Sequence, residues 1–141
     1  MEFGTGVRRP HLERVFMAKH RILVIGVGSI GERHTRTFQR TGRAELAVCE
    51  SNEQLRKTVS EGNRIGQAYA GLDEALGDDK FDIGLICTPS HLHIPMATQL
   101  VKAGKHVFIE KPLSLSLDGI SELMRLIKEK GVKSAVAYTY R

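Results

Sequence analysis

The chain has 141 residues, of which 41% are hydrophobic and 26% are charged, proportions close to those of an average globular protein. Its formal net charge of +5 comes from scattered Lys and Arg residues, without the basic run and interleaved aromatics that are typical of nucleic-acid binding. No apolar run approaches the roughly 20 residues that a membrane-spanning helix needs. Neither a nucleic acid nor a membrane is therefore expected as a partner.

The first 18 residues differ from the rest of the chain. They combine turn-forming and charged residues without sustained periodicity, so we expect residues 1–18 to be a disordered or non-native tail and residues 19–141 to form one domain. The two cysteines, Cys49 and Cys87, have no CxxC partner, which argues against a metal site. They are expected to be buried, reduced thiols of a cytoplasmic protein.

Strand-like and helix-like segments alternate along residues 21–140. Apolar, β-branched runs predict strands over 21–26, 44–50, 66–70, 81–89, 105–110 and 132–140. The segments between them predict helices over 29–41, 51–62, 72–79, 93–103 and 115–131. The second of these helices has Ser51 or Asn52 as its N-cap and Gly62 as its stop.

Two helices have a face that the sequence identifies. The spacing of the first predicted helix places Ile30, His34, Thr37 and Phe38 on one side. The last predicted helix is amphipathic, and its apolar residues share a face. That face consists of Ile120, Leu123, Met124 and Ile127.

The strict alternation of strands and helices predicts an α/β fold. Strands that alternate with helices form a mostly parallel sheet covered on both faces, and right-handed crossovers leave few topologies. We predict a doubly wound, six-stranded sheet with the strand order 3-2-1-4-5-6, the Rossmann arrangement.

The sequence "RILVIGVGSIGERH" contains a GxGxxG pattern at Gly26, Gly28 and Gly31. It follows a predicted strand and opens a predicted helix, which is the context that a dinucleotide-binding turn requires. Gly26 permits a tight turn, Gly28 lets the backbone approach a pyrophosphate, and Gly31 lets the helix pack closely on the strand. The N–H groups of Ser29, Ile30 and Gly31 would then point at the anion.

Glu50 ends the second predicted strand, 19 positions after Gly31. A carboxylate at this position accepts hydrogen bonds from the ribose hydroxyls of NAD and repels the 2′-phosphate of NADP. Ser51 and Asn52 are neutral, and Arg56 lies a turn or more into the next helix. The sequence therefore predicts NAD in preference to NADP. Three alternatives stay open: a glycine turn without a ligand, S-adenosylmethionine as the ligand, and Glu50 as a solvated strand end.

Two further segments follow strands at the same predicted edge of the sheet, where open α/β sheets bind ligands. Thr88 and Pro89 follow the fourth strand, with His93 four residues later, and Glu110-Lys111-Pro112 follows the fifth. Together with the glycine turn, Glu50 and "AGKHV" (103–107), these segments resemble the N-terminal half of the glucose–fructose oxidoreductase/inositol dehydrogenase family (Gfo/Idh/MocA). The resemblance covers residues 19–141 and departs from the pattern at His91, where asparagine is common.

The resemblance implies roles for these residues. Lys111 would lie at the nicotinamide end, near the hydroxyl of a sugar, polyol or related substrate, where its cation can polarise a carbonyl or relay a proton. Glu110 would bind the nicotinamide ribose, and Thr88, Pro89 and His93 would line the nicotinamide side. For Lys111 a surface role, and for His93 a capping role, remain alternatives. His11, His20, His34 and His106 receive no role.

The resemblance also implies a second domain that this sequence does not contain. In the family, that domain supplies the substrate pocket, a general acid/base and the assembly surface of any oligomer. We therefore expect a cofactor-binding domain of an oxidoreductase with little or no turnover on its own. The alternative is a stand-alone nucleotide-binding sensor or partner module.

Overall fold

Six strands form one all-parallel sheet in the computed structural model, which describes residues 19–138. The strands lie in the order β3-β2-β1-β4-β5-β6, which confirms the predicted Rossmann order. The predicted tail at residues 1–18 and the last three residues lie outside the described part. The elements follow one another as β1 (His20–Ile25), α1 (Ser29–Arg40), β2 (Ala44–Cys49), α2 (Glu53–Gly62), β3 (Ala68–Tyr69), α3 (Leu72–Asp78), β4 (Ile83–Ile86), α4 (His93–Lys102), β5 (His106–Glu110), α5 (Ile120–Lys130) and β6 (Ser134–Ala137).

The strand β1 shows why the sheet is covered on both faces. Its side chains alternate between two buried apolar clusters: Leu23 and Ile25 belong to one, Ile22 and Val24 to the other. The first cluster packs α3, α4 and α5 against the sheet, and the second packs α1 and α2. A strand buried on both faces reads as a continuous apolar run, which is the pattern of β1 in the sequence.

The register brings the carboxyl ends of the strands to one edge. Ile25 of β1 pairs with Cys49 of β2 on one side and with Ile86 of β4 on the other. Ile86 in turn pairs with Ile109 of β5. Because the chain reverses its winding direction between β1 and β4, a crevice forms there, beyond the strand ends.

The predicted boundaries of α2 hold closely. Asn52 is its N-cap, and its side chain accepts a hydrogen bond from the Leu55 backbone N–H at 2.9 Å. Gly62 is the last helical residue. The side-chain oxygen at the cap satisfies one of the amide groups that a helix start leaves without a partner.

The helix α5 corrects the prediction in two respects. It begins at Ile120 rather than at residue 115, because Gly119 has a φ of 76°, which ends the preceding loop in a left-handed conformation. Its buried residues are Leu123 and Leu126, whereas Met124, predicted on the apolar face, is 66% exposed. The helix packs against the sheet with a face rotated away from Met124.

The helix α1 packs through small residues. Gly31 and Thr35 are its buried residues, and the Thr35 hydroxyl donates to the Gly31 carbonyl at 2.8 Å. Ile30, which the spacing groups with His34, is 45% exposed. The small buried side lets α1 approach the sheet closely.

Candidate functional site

The turn after β1 lies against the end of β4. Gly26 has a φ of 83°, and a Cβ atom built on it would lie 3.0 Å from the Cys87 carbonyl group and the Thr88 nitrogen. Only glycine adopts such a φ without strain, and only glycine leaves this space empty. The turn therefore sits at the crevice between β1 and β4.

The other two glycines of the motif have different surroundings. A Cβ atom on Gly31 would lie 1.9 Å from the carbonyl oxygen of Gly26, so the helix start is packed directly on the turn. A Cβ atom on Gly28 would meet nothing within 4 Å. The backbone at Gly28 consequently borders open space in which a ligand can approach it.

The start of α1 faces that open space. Gly28 is the N-cap residue, and no side chain caps the helix there. The first backbone bond of this turn runs from the Glu32 N–H to the Gly28 carbonyl at 2.9 Å. The N–H groups of Ser29, Ile30 and Gly31 precede it, and such groups at a helix N-terminus favour an anion.

Glu50 is held at the end of β2 by two backbone amides. Its Oε2 accepts from the Val27 N–H at 3.1 Å, and its Oε1 accepts from the Asn52 N–H at 2.9 Å. Oε1 also accepts from the Ser51 hydroxyl at 3.4 Å, whereas Oε2 has a second lone pair that can accept a further hydrogen bond. The carboxylate is therefore oriented next to the glycine turn and still able to bind hydroxyl groups.

The Arg56 side chain contacts the backbone of Glu50, a contact that the position of Arg56 in the sequence does not indicate. Its Nη1 donates to the main-chain oxygen of Glu50 at 2.6 Å. The guanidinium thus reaches back from α2 to the end of β2, where the sequence predicts only neutral neighbours for Glu50.

A cleft of about 640 Å³ opens at the carboxyl edge of the sheet. Five of the predicted site residues line it: Gly26, Gly28, Glu50, Thr88 and Pro89. Sequence reasoning missed several residues of its lining, among them Leu55, Gly71, His91, Leu92 and Met96. This main cleft lies where doubly wound sheets bind their ligands.

The remaining predicted residues do not lie in the main cleft. Ile30, Glu110 and Lys111 line a neighbouring side cavity of about 560 Å³, together with His34 and Tyr138. Lys111 is exposed there, and the peptide bond that joins it to Pro112 is cis. Two cavities at one edge of the sheet therefore hold most of the predicted residues, while Ser29, Gly31 and His93 line neither of them.

Glu110 has a partner that the sequence does not indicate. Its Oε1 lies 2.6 Å from Nε2 of His34 on α1, and its Oε2 accepts from the Lys111 backbone N–H at 3.1 Å. No role is predicted for His34 above. Its place one turn into the helix, at the edge where the strands end, is the signal that could have identified it.

His93 is buried below the site. The residue is 1% exposed, with Nε2 at 2.8 Å from the Thr88 carbonyl oxygen and Nδ1 at 2.9 Å from the Pro112 carbonyl oxygen. The resemblance implies that it lines the nicotinamide side, but in this structure both nitrogens are engaged by backbone. The ring connects the loops after β4 and β5 and has no open side for a ligand.

Both cysteines contribute to the wall of the main cleft. Burial raises the pKa of the Cys49 thiol to about 11, and the charge of Glu50 adds to this effect. Burial also raises the pKa of the Cys87 thiol to about 12, with a further contribution from Glu110. Both thiols are protonated near neutral pH and therefore poor nucleophiles.

Residues 19–138, the described part of the chain, contain no group of three or more His, Cys, Asp or Glu residues that could hold a metal ion. Over the same residues, no helix has the length and apolar character needed to cross a membrane.

Comparisons with known proteins agree with this geometry. The profile of GFO_IDH_MocA, an oxidoreductase family with an NAD-binding Rossmann fold, matches residues 20–138. Myo-inositol 2-dehydrogenase from Thermotoga maritima is 32% identical over 120 residues, which cover 84% of this chain and 35% of that protein. Uncharacterized oxidoreductase YrbE from Bacillus subtilis is 29% identical over 119 residues, again covering 84% of this chain and 35% of the relative.

Solved structures share the fold. The WlbA dehydrogenase from Chromobacterium violaceum, in complex with NADH and UDP-GlcNAcA, superposes with a TM-score of 0.79 at 27% identity, covering 84% of this chain and 35% of that one. GenD2 from gentamicin A biosynthesis, in complex with NAD, superposes with a TM-score of 0.79 at 30% identity, covering 84% and 34%. The chain thus spans about a third of the length of these relatives.

The match extends over nearly all described residues and agrees with the strand order, the glycine turn and the cleft. The chain belongs to the Gfo/Idh/MocA oxidoreductase family, of which it forms the NAD-binding Rossmann domain.

Proposed function

We propose that the main cleft binds NAD and that the chain acts as the cofactor-binding part of an oxidoreductase of sugars, polyols or related hydroxyl compounds. The observation that carries the proposal is the open space at Gly28. It is bordered by an uncapped helix start, and the oriented Glu50 carboxylate stands beside the same turn. These are the features that a pyrophosphate and an adenosine ribose require.

The residues of the main cleft would divide the cofactor between them. The amides at the start of α1 would hold the pyrophosphate, and Glu50 would accept hydrogen bonds from the adenosine ribose hydroxyls. Thr88 and Pro89 would border the nicotinamide half. Bound NAD supplies the hydride acceptor, which no amino-acid side chain offers.

Lys111 is proposed as the catalytic residue. It is exposed in the side cavity beside Glu110, which places a cation within reach of a molecule bound there. An ammonium group can hold or transfer the proton of a substrate hydroxyl and stabilise negative charge on its oxygen. Glu110 would bind the nicotinamide ribose next to it.

The substrate class rests on the relatives. One relative is a myo-inositol 2-dehydrogenase, and another was solved with UDP-GlcNAcA. Inositol and sugar rings present a hydroxyl-bearing carbon of the kind from which hydride is removed. Since this chain covers about 35% of either protein, we propose that it binds cofactor without turning over substrate by itself. Hydride transfer needs the reacting carbon held against the nicotinamide.

The proposed setting is the cytoplasm. Cys49 and Cys87 are free thiols rather than a disulfide, which is typical of proteins kept in a reducing compartment.

A titration of the purified chain with NADH, followed by NADH fluorescence, tests the proposal. We expect saturable enhancement that excess S-adenosylmethionine does not reverse. Gly28→Val should abolish it, since its side chain would occupy the open space at the turn. Gly62→Val is the matched control, because Gly62 also has nothing within 4 Å but lies at the far end of α2. Absence of NADH binding by the folded chain, or full binding by Gly28→Val, would overturn the proposal.

A further inference from the structure

Lys111 lies between two residues that are each held by a histidine from a different helix. Its predecessor Glu110 is bound by His34 of α1, and the carbonyl of its successor Pro112 is bound by His93 of α4. We infer that His34 and His93 are positioning residues, which fix the main chain on both sides of Lys111. The inference rests on the proposed function, because it concerns the residue proposed to act at the nicotinamide end.

The contact between His34 and Glu110 is partly buried. The side chains of His34 and Glu110 are 24% and 16% exposed, and their nearest atoms, Nε2 and Oε1, are 2.6 Å apart. The imidazole packs beside two aromatic rings, with ring centroids 6.3 Å from Phe38 and 6.1 Å from Phe108. Packing therefore restricts the ring to the orientation in which it meets Glu110.

Glu110 passes this restraint to Lys111. The Glu110 oxygen that does not contact His34 accepts the Lys111 backbone N–H at 3.1 Å. A carboxylate that is free to rotate would lose this geometry. By fixing Oε1, His34 keeps Oε2 aimed at the main chain of Lys111.

His93 connects the loop after β4 to the loop after β5. Both of its ring nitrogens lie within 2.9 Å of backbone carbonyl oxygens, of Thr88 and of Pro112. A ring N–H can donate to a carbonyl oxygen, and His93 is only 1% exposed, so the ring is held between the two loops. His93 thus joins the loop that lines the main cleft to the segment that carries Lys111.

The two histidines therefore fix the backbone from which the exposed Lys111 side chain extends. The Lys111 side chain is exposed and has rotational freedom, so the position of its ammonium group depends on where its backbone stands. Displacement of a reacting group by about 1 Å can cost on the order of 100-fold in rate. Two histidines that anchor the flanking residues to α1 and α4 limit such displacement.

A comparison of two ligands separates positioning from general stability. ADP carries the adenosine and pyrophosphate parts, whereas NADH adds the nicotinamide and its ribose. In His34→Leu and His93→Phe we expect NADH affinity to fall roughly tenfold, the size of effect that one lost hydrogen bond produces, with ADP affinity unchanged. His34→Gln keeps an N–H donor and should restore NADH affinity. His20→Phe, at the opposite end of the sheet, is the control.

The amide proton of Lys111 gives a direct readout. Hydrogen exchange at this amide should accelerate in His34→Leu but not in His34→Gln, because only the leucine releases Glu110. If His93→Phe does not fold, proton NMR of the unaltered chain tests His93: an N–H proton of its ring should exchange slowly with water, because the ring is buried against two carbonyl oxygens. Exchange as fast as in an exposed histidine would overturn its role in joining the two loops.

The outcomes also separate this inference from the proposed function. Unchanged NADH affinity in both histidine variants, with normal binding by the unaltered chain, overturns the positioning role alone. Equal loss of NADH and ADP affinity overturns it too, since the histidines would then act on the whole fold. Failure of the unaltered chain to bind NADH overturns the proposed function and the positioning role with it.

Discussion

Gly31 packs directly beneath the carbonyl oxygen of Gly26, and a Cβ atom on Gly31 would lie only 1.9 Å from that oxygen. The contact is between backbone atoms, so it cannot be relieved by rotating a side chain. Gly31→Ala should therefore lower the free energy of unfolding by about 1–3 kcal/mol, the range for overpacked positions.

Urea unfolding of the Gly31→Ala chain, compared with the Gly62→Ala chain as a control, measures this loss of stability. Gly62 has open space around it and lies within the last turn of α2, so alanine there should not destabilise the chain. Equal unfolding midpoints for Gly31→Ala and the unaltered chain would show that α1 can move away from the turn at no cost.

Glu50 is expected to set the preference between NADH and NADPH. In Glu50→Gln the side chain keeps one acceptor oxygen, which can serve one of the two backbone amides, and loses the negative charge that opposes a 2′-phosphate. NADH affinity should fall roughly tenfold, and NADPH affinity should rise, helped by the nearby Arg56 guanidinium.

Parallel calorimetric titrations with NADH and NADPH check this expectation. Arg56→Gln in the Glu50→Gln background should remove the gain in NADPH affinity. An unchanged ratio of the two affinities in Glu50→Gln would contradict the role of the carboxylate.

The cysteines are expected to resist alkylation in the folded chain. The pKa values of about 11 for Cys49 and about 12 for Cys87 leave little thiolate at pH 8, and the thiolate is the reactive form. Iodoacetamide at pH 8 should label the folded chain much more slowly than the chain in urea, as followed by mass spectrometry. Equal rates in the two states would mean that burial does not protect the thiols.

The ion pair between Arg21 and Asp82 should make stability depend on pH at the acid end. The Arg21 guanidinium donates to both Asp82 oxygens, at 2.9 and 2.6 Å, and this hydrogen bonding holds the pKa of Asp82 below its ordinary value of 3.8. A lowered folded-state pKa stabilises the folded chain above the ordinary value, and this contribution disappears as the pH falls through the lowered pKa.

Urea midpoints measured between pH 7 and pH 2.5 test this ion pair. Asp82→Asn should lower the midpoint slightly at pH 7, since both side chains are about half exposed, and the difference should vanish at low pH. Arg21→Gln should give the same flattened profile, because it removes the donor. If the Asp82→Asn chain loses as much stability at acid pH as the unaltered chain, other carboxylates cause that loss.

The fold was largely predictable because its signals are local. The run before Gly26 marks a strand buried on both faces, and the GxGxxG spacing marks the strand-to-helix turn. Each pattern depends on residues that are close in the sequence. The parallel strand order then follows from the alternation of strands and helices and the handedness of their connections.

The orientation of α5 was not predictable in the same way. Leu123, Met124 and Leu126 are all apolar and cover a wide arc of the helix, so periodicity does not say which edge of the arc is buried. Packing against the sheet and α4 buries Leu123 and Leu126 and exposes Met124. A sequence pattern identifies the apolar arc of a helix, but packing against the neighbouring elements determines which part of that arc is buried.

The parallel sheet, the glycine turn and the set of residues at its carboxyl edge follow from the amino-acid sequence, since they depend on neighbouring residues and on chain topology. How these residues are held follows only from the packed structure. His34 and Glu110 are 76 positions apart, and His93 is 19 positions from Pro112, so no local pattern pairs them. A hydrogen bond requires two atoms within about 3 Å, and the packing of α1 and α4 against the sheet brings these atoms together.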